Sequence, residues 1–516
     1  MSEIAEYYRG KSILITGAYG FMGKVLIEKL LYSCTDLKII YILVRAKRGK
    51  SIDQRLDEMF KIPLFERLRK EKPHTFQKVV PVAGDIGLEN LGLSAESLKL
   101  LADVNIIYHA AASLRLDAKL PDSVRFNVEG THRFMELCKG FKKLEAFVYV
   151  STAFCHCELD VMEEKVYETP VKPEDIMRIC QWMDEKSMDA ITPKLLDVHP
   201  NAYTYTKRLA EKLVADYYPE IPILIARPSI VTPALKEPFP GWVDNLNGPV
   251  GLIVGGGKGV IRSMHCNSEY HAEVIPVDLA INGLVALPWR TFGPEPLDMF
   301  KNSPTVPVFN LTQSGLKPVT WGEILNMGKQ ATYKNPFSVM LWYPNGDIRS
   351  NKMVHNLCVI FYHWLPAILI DFMLFITGNK RFMMNVQRRI HDGLEVLQYF
   401  TTREWSFKND NFIAVRDSMN DLDKSIFPIQ FEIIDCLDYI NTCVLGARHY
   451  MMKEDPSTLP KARRLLRILY ALDCVTSFSF YALFAWLIVS CSDTARFVLD
   501  SATEVLTALP FVRSLK

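Results

Sequence analysis

The sequence predicts an α/β protein: a doubly wound parallel sheet, followed by a helical C-terminal domain and a C-terminal transmembrane helix. Three observations predict it. Short apolar runs alternate with helix-length stretches through the first half of the chain, a glycine turn joins the first run to a helical pattern, and after about Gly346 the chain becomes helical and aromatic-rich. The run Ser12–Ile15 enters Thr16-Gly17, and Lys24–Tyr32 then spaces its apolar residues helically, so the order is strand, turn, helix. Further strands are expected at Ile39–Val44, Val79–Val82, Ile106–Tyr108, Ala146–Val150 and Ile223–Ala226. From Gly241 the segment GWVDNLNGPVGLIVGGGKG is too rich in glycine and proline for one long helix. It reads as substrate-side loops, with Gly255-Gly256-Gly257 a flexible loop over the site of access. The units are drawn as 1–350 for the α/β part, 351–460 for the helical domain, 468–490 for the membrane helix and 491–516 for a short tail.

Hydrophobic residues make up 49% and charged residues 23% of the 516, the balance of a folded protein carrying extra apolar sequence. A net charge of +2, with no basic stripe interleaved with aromatics, excludes nucleic acid as a partner. Eleven cysteines without regular spacing fit reduced thiols, and the opening MSEIAEYYRGKS carries no secretory signal. Cys474–Ser490 is uncharged and extends back to Ile468 if Asp473 is tolerated, long enough to span a bilayer. Lys461, Arg463, Arg464 and Arg467 precede it and keep the large N-terminal part cytosolic. Leu357–Ile376 is also long enough, but it contains His363, Pro366 and Asp371, so a core or interfacial helix is preferred to a second span.

Gly17, Gly20 and Gly23 in TGAYGFMG form a G-x-x-G-x-x-G turn between strand and helix, the context of a Rossmann-type dinucleotide site. The first glycine permits the tight turn, the second lets a pyrophosphate approach, and the third lets helix and strand pack closely. The second strand ends in Arg45, with Lys47 and Arg48 behind it, where a carboxylate would select NAD. Cations there suit a 2′-phosphate, so NADPH is the expected cofactor. Asp85, after the third strand, is expected to accept from the adenine amine. Tyr19, Phe21 and Met22 of the turn, and His109, Ala110, Ala111 and Pro228 at later strand ends, complete the expected cofactor-binding set.

Hydride addition to a carbonyl leaves an alkoxide that must be stabilised as it forms. Tyr203 and Lys207, four residues apart, share one helical face, and a phenol with a reference pKa of about 10 would be acidified there by the ammonium and by an oxidised nicotinamide. Lys207 would also hold the nicotinamide ribose. Thr152, or its neighbour Ser151, at the end of the fifth strand would hydrogen-bond the same carbonyl oxygen. Tyr7 and Lys11 repeat the spacing before the first strand, where no active site forms, so the pattern gains meaning only from context.

The segments TGAYGFMG, YILVRAKRG, NIIYHAAASLR, FVYVSTAF, PNAYTYTKRLAEKL, ARPSIV and EPFPGWVDNLNGP together resemble the alcohol-forming fatty acyl-coenzyme A reductases, a branch of the extended short-chain dehydrogenases. The resemblance continues through IPVD at Ile275–Asp278 and FTTREWSF at Phe400–Phe407, covering nearly the whole chain. It implies two NADPH-dependent hydride transfers to acyl chains of palmitoyl to stearoyl length, and a peroxisomal or endoplasmic reticulum membrane address. In the matching positions the acid is Tyr203, its helper Lys207, the hydroxyl Thr152 and the phosphate turn Gly17, Gly20 and Gly23. Tyr19 departs from the small hydroxyl residue of relatives, and its ring is expected to narrow the phosphate pocket.

Cys155-His156-Cys157 reads as consecutive strand residues on alternating faces, which cannot close a metal site. His355 and His363 read as packing residues, and His109 as a residue lining the cofactor crevice. Two rivals share parts of this reading: a sterol or nucleotide-sugar enzyme of the same extended family, and a membrane-tethered lipid-binding scaffold without activity. The tail helix and EPFPGWVDNLNGP oppose the first, and the joint presence of Thr152, Tyr203 and Lys207 opposes the second.

Overall fold

The computed structural model describes residues 1–46, 49–432, 434–491 and 501. Its centre is a seven-stranded, wholly parallel sheet of β1 (Ser12–Thr16), β2 (Ile39–Val44), β3 (Val79–Ala83), β4 (Ile106–His109), β5 (Ala146–Val150), β6 (Ile223–Pro228) and β7 (Val308–Leu311). The strands lie in the order β7-β6-β5-β4-β1-β2-β3, so the winding reverses between β1 and β4. Ligands of open α/β sheets bind at that reversal, beyond the strands' C-terminal ends. Six strands stand where the apolar runs predict them. The seventh, VFNL, is too short to announce itself.

The helices used below are α1 (Phe21–Ser33), α2 (Ile52–Lys61), α3 (Ala202–Ala215), α4 (Pro249–Gly257), α5 (Val277–Phe292), α6 (Trp321–Lys334), α7 (Lys352–Ile376, with a π-turn at Ile360–Trp364), α8 (Met383–Thr401), α9 (Asp410–Asp417), α10 (Cys436–Gly446) and α11 (Leu459–Cys491). Alternate strand residues face opposite layers. Ile13, Ile40, Ile106, Val148 and Leu224 pack with α1 and α5, whereas Leu14, Tyr41, Ile107, Tyr149 and Ile225 pack with α3. A sheet covered on both faces needs apolar residues at every position, which is why its strands read as continuous runs.

One expectation is corrected and another narrowed. The run Gly255-Gly256-Gly257 is no flexible loop but the last turn of α4. A Cβ on Gly255 or Gly257 would come within 2.5 Å of Ile261 or Phe337, so these glycines admit large neighbours against the helix. Of the core and interfacial readings of Leu357–Ile376, the core one is excluded, because most of its apolar side chains are exposed.

Residues beyond 350 return to the α/β part. Ser406–Phe407 pairs in parallel with Val161–Met162, and Phe412, Phe427, Phe431 and Tyr439 enter the same core as Ile4 and Leu30. Ser2 Oγ donates to Asp423 Oδ1 at 2.5 Å, joining the N-terminus to the far end of the fold. The 351–460 segment therefore has its main hydrophobic contacts in the core of the α/β part. The α7 and α11 helices are both long and apolar enough to cross a membrane. The 491–516 tail lies outside the described residues except for Cys491 and Ser501.

Candidate active site

The β1–α1 turn is built by close backbone approach. Gly17 has φ +76°, and a Cβ there would lie 2.7 Å from the Ala110 carbonyl and 2.8 Å from Ala111 N. Only glycine fits where β1 passes the end of β4. A Cβ on Gly23 would meet Gly17 O at 2.3 Å, and Gly20 caps α1, whose first residues are Phe21 and Met22. The Ala110 and Ala111 N–H groups donate to Thr16 O and Oγ1 at 3.3 and 3.2 Å, closing the crevice floor. This tight, glycine-lined helix start fits a dinucleotide pyrophosphate.

The adenosine end is partly occupied by the protein's own pairing. Arg45 meets Asp85 side-on, Nε to Oδ2 at 2.8 Å and Nη2 to Oδ1 at 3.2 Å, and Gly87 N–H donates to Asp85 Oδ1 at 3.0 Å. Asp85 thus orients Arg45. Lys47 and Arg48 lie outside the described residues. The Tyr19 ring packs beneath the Arg55 guanidinium, 4.3 Å from ring centre to Cζ, beside a cleft of about 280 Å³ that Lys24 and Lys50 also line.

Asn201 caps α3, its Oδ1 accepting from Thr204 N–H at 3.0 Å, and so sets the phase of Tyr203 and Lys207. The Lys207 ammonium is buried and donates to Val150 O at 2.7 Å, 4.9 Å from the centre of the Tyr149 ring. Burial pulls Lys207 down to about 8 from 10.5, against the opposing pull of Glu211 and Cys155. Tyr203 is partly buried as a residue with its hydroxyl end enclosed, next to Thr152. Burial drives its phenol well above the ordinary value, Cys155 adding to the rise and the Thr152 hydroxyl opposing it. The expected acidification by Lys207 is therefore not formed in the protein alone, because the ammonium is committed to a backbone carbonyl.

Ser151 does not join this set; it faces Glu211 and Cys155. His109 is also placed otherwise than expected. It is fully buried between Thr16 Oγ1 (2.7 Å) and Thr131 Oγ1 (3.1 Å), and burial lowers it to about 3, so its neutral ring fixes β4 beneath the crevice. Pro228 ends β6 opposite Leu311. Tyr7 and Lys11 form a cation–π contact at 3.4 Å, immediately before β1 and so at the N-terminal end of the strands, away from the crevice.

Three buried residues escape sequence reasoning. Glu211, one turn beyond Lys207 on α3, receives Arg227 Nε at 2.9 Å and Nη2 at 2.6 Å. Arg227 also donates to the carbonyls of Glu163 and Lys165 at 3.0 and 2.9 Å. Asp278, in IPVD, accepts from Leu235, Lys236 and Glu237 N–H at 2.8–3.0 Å and shapes the EPFPGW segment. Spacing from Lys207 and the quoted segments held the signal for all three.

Cys155 and His156 sit in a 3₁₀ turn, not a strand, and the chain gathers Cys155, His156 and Glu211 in one group and Cys157, Glu158 and His199 in another. Arginines already serve both: Arg227 pairs with Glu211, and Arg208 lies 3.3 Å from Glu158 and 3.1 Å from His199 Nε2. In the same turn, two residues after Thr152, Phe154 meets Phe400, Trp405 and Phe407 edge-on at 5.4–5.5 Å, a buried aromatic wall beside the Thr152 segment.

Two family descriptions match the chain: the NAD-binding domain of male sterility protein over residues 15–284, and its Sterile domain over residues 362–454. Fatty acyl-CoA reductase 1 of Xenopus laevis is 38% identical over 467 residues, 90% of this chain and 89% of its own. The chain belongs to the fatty acyl-CoA reductase family. Fatty acyl-CoA reductase 2 of Bos taurus is likewise 38% identical over 501 residues, covering 96% of this chain and 95% of its own. Among solved structures, the reductase domain of a nonribosomal peptide synthetase from Mycobacterium tuberculosis shares the fold at a TM-score of 0.56 and 19% identity, over 86% of this chain and 96% of that one. Membership makes the protein an oxidoreductase with a dinucleotide-binding domain.

Proposed function

We propose that this family member is an NADPH-dependent reductase that converts long-chain fatty acyl-CoA into primary fatty alcohol and releases CoA. In this reading α11 anchors it, with the body on the cytosolic face of a peroxisomal or endoplasmic reticulum membrane. The observation that carries the proposal is the meeting of Thr152, Tyr203 and Lys207 beside the strand ends that form the glycine crevice.

When bound, the reduced dinucleotide supplies hydride, its pyrophosphate held by the Gly17–Gly23 turn and its 2′-phosphate by Arg45. The thioester oxygen accepts hydrogen bonds from Thr152 and Tyr203, which strengthen as that oxygen gains charge. Tyr203, kept protonated by burial, gives its proton to form the thiohemiacetal. The phenol recovers a proton from that hydroxyl as the C–S bond breaks and CoA leaves as thiolate. Once the oxidised dinucleotide had been exchanged for a second reduced one, Tyr203 would protonate the alkoxide left by reduction of the aldehyde, giving alcohol, and the phenolate would regain its proton from solvent. Lys207, with the oxidised ring's positive charge, stabilises the phenolate formed in each reduction.

The test is purified full-length protein with labelled palmitoyl-CoA and NADPH, which should yield labelled hexadecanol and free CoA. Turnover with NADH alone, or no alcohol at all, would overturn the respective part of the reading.

A further inference from the structure

The α7 helix is built inside out. Its buried positions from the π-turn onward are His363, Ala367 and Asp371, spaced four apart on one stripe, whereas Ile368, Leu369, Phe372, Met373, Phe375 and Ile376 are 50–64% exposed. A soluble helix turns its apolar face to the core. Here the polar residues hold the helix to the protein: His363 Nε2 accepts from the N–H groups of Arg262 and Ser263 at 2.9 and 3.2 Å, and Asp371 caps α8 by accepting from Phe382, Met383 and Met384 N–H at 2.8–3.0 Å. The very groups that argue against membrane contact in the sequence are satisfied inside.

The same Arg262 joins α7 to α11. Its guanidinium lies 3.3 Å from Asp473 and 4.5 Å from the Tyr362 ring centre, and Trp342 and Asn345 also donate to Asp473 at 2.5 and 2.7 Å. The exposed apolar stretches Leu365–Ile376 and Cys474–Cys491 both begin just past this junction. The turn after α7 then presents Lys380 and Arg381, and α8 presents Arg388 and Arg389, all exposed. At its other end α8 delivers Phe400 to Phe154, beside Thr152.

We infer that the α7–α8 hairpin is a second membrane element, lying in the interface of the leaflet that α11 enters. The apolar face of α7 is immersed, and the four cations meet anionic headgroups. The hairpin does not cross, because Asp371 folds α8 back against α7, His363 ties α7 to the Arg262–Ser263 backbone, and Thr401 at the end of α8 donates to His265 O. Its consequence is a short route along α8 by which an acyl chain leaves the bilayer for the catalytic turn and the alcohol returns. The inference rests on the membrane and acyl-CoA reading above.

The experiment uses the full chain in phosphatidylcholine–phosphatidylserine vesicles containing a photoactivatable lipid, with labelled peptides located by mass spectrometry. Label in both 365–376 and 474–490 is expected. Label in 474–490 alone overturns the hairpin while leaving the anchor standing, and absence from both overturns the anchor as well. Protein-to-protein crosslinks through 365–376 without lipid label would identify a second copy as the occupant and overturn the inference. A quadruple variant, Ile368→Gln, Leu369→Gln, Phe372→Gln and Phe375→Gln, supplies the functional arm. It should raise KM for vesicle-bound palmitoyl-CoA on the order of tenfold from lost apolar contact, with kcat on soluble octanoyl-CoA unchanged. Equal loss on both substrates would overturn the route.

Discussion

An enclosed phenol that touches no cation keeps its proton, and Tyr203 is held in that state while Lys207 spends its ammonium on Val150 O. Tyr203→Phe should lower kcat by about 10²–10⁴-fold, the contribution of a positioned acid, while NADPH binding followed by fluorescence stays unchanged. The pH profile should separate the two groups. Lys207 titrates near 8, so kcat/KM should fall as pH rises through that value, whereas a limb belonging to Tyr203 would stand far higher. Stability moves the other way. The native pKa of Lys207 lies below the unfolded one, so the native state binds fewer protons between about 8 and 10.5, and the burden of burying this cation is relieved as pH rises through that window. Alkaline inactivation near pH 8 with no parallel fall in Tm is the expected result. Lys207→Arg, charged throughout, should move the alkaline limb upward. The i, i+4 spacing of the pair was legible in the sequence, but the direction of the ammonium depended on β5, some fifty residues away, and so was not.

At the scale of elements, α3 is locked to β6 by an ion pair that carries both a charge and a local fold. Glu211 and Arg227 are both buried, and Arg227 also satisfies two carbonyls of the 163–165 segment. Glu211→Ala should destabilise the protein by about 3–5 kcal/mol, because it strands a buried guanidinium, and a thermal melt would measure it. Burial lowers Lys207 and Glu211 opposes it, so the same substitution should move the alkaline limb to lower pH. A stable Glu211→Ala protein with an unmoved limb would refute this coupling. Elements set by local chemistry were readable: six strands from their apolar runs, and the β1–α1 turn from its glycines. Those set by distant partners were not. In α4, Ile261 and Phe337 occupy the space that side chains at Gly255 and Gly257 would need. The polar stripe of α7 was visible in its spacing, but residue counting scored His363 and Asp371 as costs without asking which face they shared.

The C-terminal half returns through the core layer on the α1–α5 face of the sheet, and this governs where the chain tolerates cutting. A protein ending at residue 350 would lose Phe412, Phe427 and Phe431 from the layer between α1 and α5, and Phe407 and Trp405 from the wall at Phe154. At about 1.5–3 kcal/mol for each large apolar side chain, those five losses are comparable to the whole stability of a typical domain. Such a fragment should be recovered as aggregate. A protein ending after Thr476 keeps Leu469 in its cluster and Asp473 on Arg262, and it loses only the part of α11 that leaves the body. It should melt within a few degrees of the full chain and keep kcat on octanoyl-CoA. If α7 is immersed as inferred, it should also still sediment with anionic vesicles at low salt and be released as screening weakens the four cations. Loss of vesicle binding at every ionic strength would leave α11 as the sole membrane element.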